Sequence, residues 1–375
     1  MLENVTGVTE LCRHCLMCRH MCPVGNITRL ETLTPHGWGQ LVALEKRGLS
    51  TWNERTVDAL YKCADCGSCR NHCVYSNPLP DGIAATRAAI VEKGMAPSAV
   101  LDVAQRLREW GNPYERRQPD APTGAGEVAL FVGDEAQYLR PAVLEAALTL
   151  LRAVGIEPAL IGRGRSNGFV ASSLGLPEIA TSLARANLDE LQQTGAKKLL
   201  VLSPGDAYVF TQLYGERLGV ELPADVEVIQ VVSLLAGELD GGRLRLIPTD
   251  DSTPYAFVDP THAARAASSF DAPRTLLRAL LPNAPRELFW RTERAYPAGD
   301  VALQFTHPEL ADELTRARLA DAVDVGAKGV VTYAPGTLAQ LERLAADFDL
   351  SVVSMFELLA DHVASTATER IYQES

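Results

Sequence analysis

Eight cysteines are the residues of this 375-residue sequence best placed to do chemistry, and all lie between Cys12 and Cys73. They read Cys12-x2-Cys15-x2-Cys18-x3-Cys22-Pro23 and Cys63-x2-Cys66-x2-Cys69-x3-Cys73, one pattern written twice. That spacing holds 4Fe–4S clusters: a short turning loop points three thiolates at three corners of a cubane, and in two-cluster proteins the fourth cysteine serves the other cluster. The expectation is therefore two clusters, one on Cys12, Cys15, Cys18 and Cys73, the other on Cys63, Cys66, Cys69 and Cys22. Crossed ligation of this kind brings the clusters close enough for electrons to pass between them. Structural zinc would leave four of the thiols without a purpose. Disulfides would require an oxidising compartment, yet the opening MLENVTGVTELC has neither the basic nor the apolar stretch of a secretory signal. His14, His20, His36 and His72 crowd the same region. Each could donate a hydrogen bond to a cluster sulfur, but eight cysteines already complete both clusters, so solvated or packing histidines are the plainer expectation.

The elements that would position these loops read as helices. Gly37 to Arg47 carries apolar residues at one face with Gly48 as a stop, and Asn53 to Lys62 opens on an N-cap residue. Ile83–Lys93 and Ser98–Trp110 continue the pattern, with Ser98 as expected N-cap and Gly111 as stop. Helices on both sides of each cysteine loop suggest an all-α head over residues 1–111. Residues 112–126, rich in Pro and Gly, read as a linker.

The remainder contains a repeat and no cysteine. Gly168-Phe-Val-Ala returns as Gly299-Asp-Val-Ala, Pro177-Glu-Ile-Ala as Pro308-Glu-Leu-Ala, Gly195-Ala-Lys as Gly326-Ala-Lys, and Ser203-Pro-Gly as Ala334-Pro-Gly, at one constant offset. Apolar runs at 128–132, 159–161, 199–202 and 226–232 read as buried strands of the first copy, with helices at 141–154, 177–194 and 206–218. Runs near 255–258, 287–290, 329–333 and 351–354 read as strands of the second. Buried strands alternating with helices imply parallel sheets. The expected fold class is thus α/β with an all-α head, followed by two duplicated Rossmann-like lobes at 127–250 and 251–375. His262 and His307 read as satisfied or exposed, and Phe289 and Trp290 as strand or core residues.

These motifs carry a resemblance. The head resembles the iron–sulfur subunits of glycolate oxidase, anaerobic glycerol-3-phosphate dehydrogenase and heterodisulfide reductase, with Thr34-Pro-His-Gly where that family has Pro-Arg-Gly. The tail resembles the family's tandem cysteine-rich domain, whose copies carry Gly-Cys, Cys-Cys-Gly and Cys-Pro-x-Cys. Here those places hold Gly133-Asp134, Ser166-Asn167-Gly168 and Ser203-Pro204-Gly205-Asp206, and in the second copy Thr261, Pro297-Ala298-Gly299 and Ala334-Pro335-Gly336-Thr337. A third iron–sulfur cluster needs thiolates, so the resemblance implies a scaffold that kept its turns and lost its metal. Asp134, Ser166, Asn167, Ser203 and Asp206 are, as an alternative, oxygen ligands of the kind a hard cation takes.

Charge narrows the partners. The formal net charge is −12, and residues 126–375 hold 34 Asp+Glu against 21 Lys+Arg. An acidic majority argues against nucleic acid. No run is apolar enough to span a membrane. With two clusters and no nucleophile–base set, the expected role is a non-catalytic electron-transfer subunit. By resemblance, its partner is an FAD-containing dehydrogenase of the glycolate or D-lactate oxidase type, and a quinone, a carrier protein or another subunit takes the electrons. A cytoplasmic location, peripheral to the inner face of the membrane through partners, fits this role. A reductase with its own pocket between the lobes and a redox-sensing or assembly scaffold are the alternatives.

Overall fold

The computed structural model describes residue 12 and residues 14–120, 124–266 and 270–364. The opening eleven residues, where no secretory signal is expected, lie outside the described residues, as do 121–123 of the linker and 365–375 of the second lobe. From residue 14 to 120 the described chain forms helices and turns without a strand. The helices run Met17–His20, Pro23–Thr28, Pro35–Lys46, Glu54–Tyr61, Ser68–His72, Leu79–Glu92 and Ser98–Trp110. Local chemistry explains their starts. Thr34 accepts a hydrogen bond from the Gly37 amide at 3.2 Å, with Pro35 at the first helical position. Asn53 and Thr56 cap one another reciprocally. Ser98 is the first helical residue rather than the cap; Pro97 precedes it, and no side chain caps that end. Gly111, in the left-handed region at φ +72°, stops the helix as expected.

Two four-stranded parallel sheets follow. In the first, β1 (Val128–Val132), β2 (Ala159–Arg163), β3 (Lys198–Val201) and β4 (Glu227–Gln230) lie in the order β2-β1-β3-β4. In the second, β5 (Tyr255–Phe257), β6 (Arg286–Glu287), β7 (Gly329–Thr332) and β8 (Ser351–Ser354) lie in the order β6-β5-β7-β8. The two topologies match strand for strand, which is what the repeat demands. Three readings need correction. The run 226–232 is strand only to Gln230; Val231–Asp240 is helix, because a buried strand and a buried helix start look alike in an apolar run. The helix at 206–218 begins at Pro204 and continues as a wide π-type coil from Val209 to Leu218. β6 ends at Glu287, so Phe289 is not a strand or core residue: it is 72% exposed, while Trp290 stacks on Tyr296 at 4.2 Å.

The packing ties the parts together. One core joins Leu130, Val143 and Leu150 of the first repeat to Phe257, Leu276, Val331 and Phe356 of the second. Another joins Trp38, Leu60, Ile90 and Val103 of the head to Val170 and Leu174 of the first repeat and Ala302 and Leu310 of the second. The helical head therefore rests on both repeats. At the seam, the buried guanidinium of Arg87 donates to the carbonyls of Leu60 (2.7 Å), Cys63 (2.8 Å) and Ser173 (2.7 Å). Gly175, at φ +79°, lies so close to Arg87 and Ala88 that a Cβ there would overlap their backbone.

Candidate functional site

Two places gather reactive side chains. In the head, Cys12, Cys15, Cys18, Cys69 and Cys73 line one cavity of about 60 Å³, together with Leu16, Met17 and His36. All eight cysteines are free thiols, and they fall into two electrostatic neighbourhoods. The Cys18 thiol is pushed up to about 11, first by burial and then by Cys12, Cys73 and Cys15. Cys22 is pushed well up by burial, with Cys66 and Cys63 as its thiol neighbours. Burial likewise raises Cys63 to about 12 and Cys69 well above the usual thiol range; Cys69 feels Cys66, Cys63, Cys22 and, last, Cys18. Cys22, though distant in sequence from Cys63 and Cys66, thus sits among them, and Cys69 stands between the groups.

Backbone amides reach two of the sulfurs: Gly25 N–H donates to Cys22 Sγ at 3.3 Å and Asp65 N–H to Cys63 Sγ at 3.4 Å. Of the histidines near the loops, His72 is half-buried. His14 Nδ1 and His36 Nε2 lie 3.2 Å apart, and His20 is exposed. The donor set fits an iron–sulfur core. Thiols crowded in a partly desolvated loop stay protonated on their own, and a cationic iron core is what makes eight neighbouring thiolates tolerable. Among the described residues no three His, Cys, Asp or Glu side chains converge as one metal ion would require; thiolates at the corners of a cubane stand apart from one another.

A buried ion network that the sequence did not disclose holds the second cysteine loop. Asp65, between Cys63 and Cys66, is 2% exposed. Its carboxylate takes Arg217 in a two-pronged pair at 2.9 and 3.0 Å, and Arg265 binds both its carboxylate and its carbonyl, the latter at 2.7 Å. The two guanidinium groups hold the Asp65 carboxyl well below its ordinary range against the opposing effect of burial. Arg217 also reaches Asp81 at 2.7 Å. Arg217 comes from the first repeat and Arg265 from the second, so the loop is clamped from both sides. Gly67, in the same loop, leaves room for the clamp: a Cβ there would collide with the Arg265 side chain.

The second place is a cavity of about 50 Å³ where the repeats face each other. Asp134, Ser166, Asn167, Ser203, Asp206, Thr261, Ala334 and Thr337, residues at or beside the positions where the resemblance places cysteines, all line it. The fold brings these turns together. Glu135, His262 and Asp300, which the sequence did not single out as site residues, line it too. His262 is buried rather than exposed, at 5% exposure, and its ring meets the Asp65 backbone, while Nε2 has no hydrogen-bond partner of acceptable geometry. His307 meets its expectation, bonded to Asp58 at 3.1 Å.

Burial raises Asp134 to about 7, with Asp206 adding to the effect, and it also raises Glu135, Asp206 and Asp300. A carboxyl raised in the folded state adds stability that is complete below its unfolded value near 4 and is lost as pH rises through about 7. Asp134→Asn is therefore expected to gain about 1–2 kcal/mol on the wild type between pH 5.5 and pH 8, as amide replaces a reluctant carboxylate. Urea unfolding at the two pH values measures it; equal differences at both would show that Asp134 titrates normally.

The fold and the thiol pattern define an iron–sulfur protein. Residues 9–77 match the family model of the 4Fe-4S dicluster domain, which indicates 4Fe–4S clusters. The relatives are more particular. The chain is 26% identical over 327 residues to one of the subunits of the dihydromethanophenazine:CoB–CoM heterodisulfide reductase of Methanosarcina barkeri, covering 82% of this chain and 79% of that protein. It is 29% identical over 264 residues to a probable membrane-anchored ferredoxin of Chromohalobacter salexigens, covering 66% of this chain and 38% of that one. To the probable iron-sulfur-binding oxidoreductase FadF of Bacillus subtilis it is 23% identical over 341 residues, covering 82% and 47%. A crystal structure of a hypothetical protein from Helicobacter pylori shares the fold, with a TM-score of 0.59 at 10% identity over 91% of this chain and 70% of that one. The chain carries a 4Fe-4S dicluster domain and is homologous to this heterodisulfide reductase component and to FadF-like iron–sulfur oxidoreductases. No helix among the described residues is long and apolar enough to cross a membrane.

Proposed function

We propose that this chain is the electron-transfer subunit of a multi-subunit oxidoreductase, holding two 4Fe–4S clusters. One is held by Cys12, Cys15, Cys18 and Cys73, the other by Cys63, Cys66, Cys69 and Cys22. The observation that carries the reading is the partition of the thiols, in which Cys22 keeps company with Cys63 and Cys66 while Cys18 keeps company with Cys12, Cys15 and Cys73. The clusters, when bound, supply one-electron redox chemistry at potentials set by burial, charge and hydrogen bonds to sulfur. The chain's own residues do the rest. The Arg217–Asp65–Arg265 clamp fixes one loop, Gly25 and Asp65 amides tune two sulfurs, and exposed Met17, Val74 and Tyr75 beside Cys18 and Cys73 offer an apolar rim for a redox partner.

The partner in this reading is an FAD-containing dehydrogenase subunit of the glycolate or D-lactate oxidase type, with a quinone or a carrier subunit at the other end. The absence of thiols from the lobes favours it over a reductase with a catalytic cluster of its own. Purification of the tagged full chain from its native host under anaerobic conditions tests it. Co-elution of a flavoprotein with about eight irons per chain is expected; a colourless, partnerless chain would sink the reading.

A further inference from the structure

One buried cation of the head has no ion partner. Arg87, in the helix Leu79–Glu92, is buried, and each nitrogen of its guanidinium has an acceptor. Nε and Nη2 donate to the Leu60 carbonyl, Nη2 also to the Cys63 carbonyl, and Nη1 to the carbonyl and hydroxyl of Ser173. Every one of those acceptors is neutral. Among the described residues no carboxylate lies within ion-pair reach of Arg87, whereas Arg265 and Arg318, buried like it, hold Asp65 and Asp321. The acids of the adjoining helix and loop are already matched, Asp58 by Lys62 and Asp65 by Arg217 and Arg265.

A guanidinium keeps its charge, and an ion taken into a low-dielectric interior is costly unless an opposite charge answers it. The fold shows which group stands nearest to do so. Arg87 holds the carbonyl of Cys63 at 2.8 Å, and while burial dominates the surroundings of the Cys63 sulfur, Arg87 is the largest charge acting on it. Thiolates around an iron–sulfur core make a net anion, and one-electron reduction adds a further negative charge. The first repeat closes over this corner. Gly175 packs so tightly on Arg87 that a Cβ there would overlap it. Tyr61, whose ring centre lies 5.1 Å from the guanidinium, donates its hydroxyl to the Leu174 carbonyl at 3.2 Å. Water that would screen the charge is kept out.

We propose that Arg87 is the counter-ion of the cluster held by Cys63, Cys66, Cys69 and Cys22 and raises its reduction potential, with the first repeat as the dry cover that gives the charge its strength. The inference rests on the electron-transfer reading and its ligand sets. A cation beside the core favours the reduced form, which carries the extra electron, over the oxidised form. No lysine or arginine is among the described residues lining the cavity of Cys12, Cys15, Cys18 and Cys73, so the effect falls mainly on one cluster. The thiol-free lobe thereby gains a part in electron transfer without a metal of its own. Because the same side chain ties the loop to the lobe, charge and shape have to be separated by experiment.

The test is a redox titration of the full chain, cluster-loaded and anaerobic, with dithionite as the electron donor and electron paramagnetic resonance as the readout. The signal lost in Cys63→Ala identifies the cluster concerned. Arg87→Met removes the charge. Ser173→Asp instead answers it, placing a carboxylate where the Ser173 hydroxyl now lies 3.3 Å from Nη1 and keeping the guanidinium. Each should shift the reduction equilibrium of that cluster about ten-fold or more toward the oxidised form, a fall of about 59 mV per ten-fold for one electron, and move the other cluster less. Arg87→Lys keeps the charge, loses the fork of hydrogen bonds, and should stay near the wild type. A potential that ignores Arg87→Met or Ser173→Asp overturns the inference. So does an Arg87→Lys shift as large as that of Arg87→Met, which would make shape the cause. Where Arg87→Met does not hold the cluster, Ser173→Asp and Arg87→Lys decide. Two titrating clusters without these shifts leave the electron-transfer reading standing; a wild type with no cluster on Cys63 removes both.

Discussion

Cys22→Ala is expected to leave the chain with about four irons instead of about eight, and the surviving cluster should be the one also left by Cys63→Ala, not by Cys12→Ala. Cys73→Ala should do the converse and match Cys12→Ala. The argument is spatial. Cys22 follows Cys18 closely in sequence, so ligation by proximity along the chain would group it with Cys12, Cys15 and Cys18. The fold turns it the other way. Cys22 caps the helix Pro23–Thr28, is buried beside Val24 and Leu33, and has Cys66 and Cys63 as its thiol neighbours. Cys18 has Cys12, Cys73 and Cys15. Iron and sulfide analysis, with electron paramagnetic resonance of the reduced variants, distinguishes the cases. If the Cys22→Ala spectrum coincides with that of Cys12→Ala, the crossed assignment is wrong and each motif holds its own cluster.

What could be read in the sequence follows from the range of the interactions involved. The cap at Asn53 and the stop at Gly111 are local, and the structure keeps them. The strands at 128–132 and 351–354 and the helix at 177–194 were bounded by turns of recognisable chemistry, and their limits hold. The errors fell where an apolar run has no period of its own, as at Val231 and Val232, or where a strand is too short to carry a pattern, as at Arg286–Glu287.

The cavity was half legible. Seven of its polar residues were found because they occupy turns where the resemblance expects cysteine. Glu135 and Asp300 were missed because neither stands in a cysteine's place, and His262 because burial is not written in a lone histidine. The clamp on Asp65 was not legible at all. Its two arginines lie 152 and 200 residues away, and only the folded chain brings them to one carboxylate.

That clamp supplies the second large effect. Asp65→Ala is expected to destabilise the cluster-loaded chain by about 3–5 kcal/mol, the cost of stranding buried charge when one partner of an ion pair is removed. Arg217 and Arg265 are 8% and 3% exposed at their side chains, so neither can turn to water. Arg217 retains Asp81, but Arg265 has no other carboxylate within its reach among the described ion pairs. Asp65 also holds φ at +49°, which Asp tolerates better than Ala. Asp65→Asn separates the two causes: it keeps the shape and loses the charge, and it should cost nearly as much. Combining Asp65→Asn with Arg265→Met should recover part of the loss, because the stranded cation goes with its partner. Denaturant unfolding under anaerobic conditions, followed by circular dichroism and by cluster absorbance, gives both numbers. A loss below about 1 kcal/mol for Asp65→Asn would place this network with exposed ion pairs, and the head would then be held to the lobes by the apolar seam, Arg87 and contacts such as His307–Asp58.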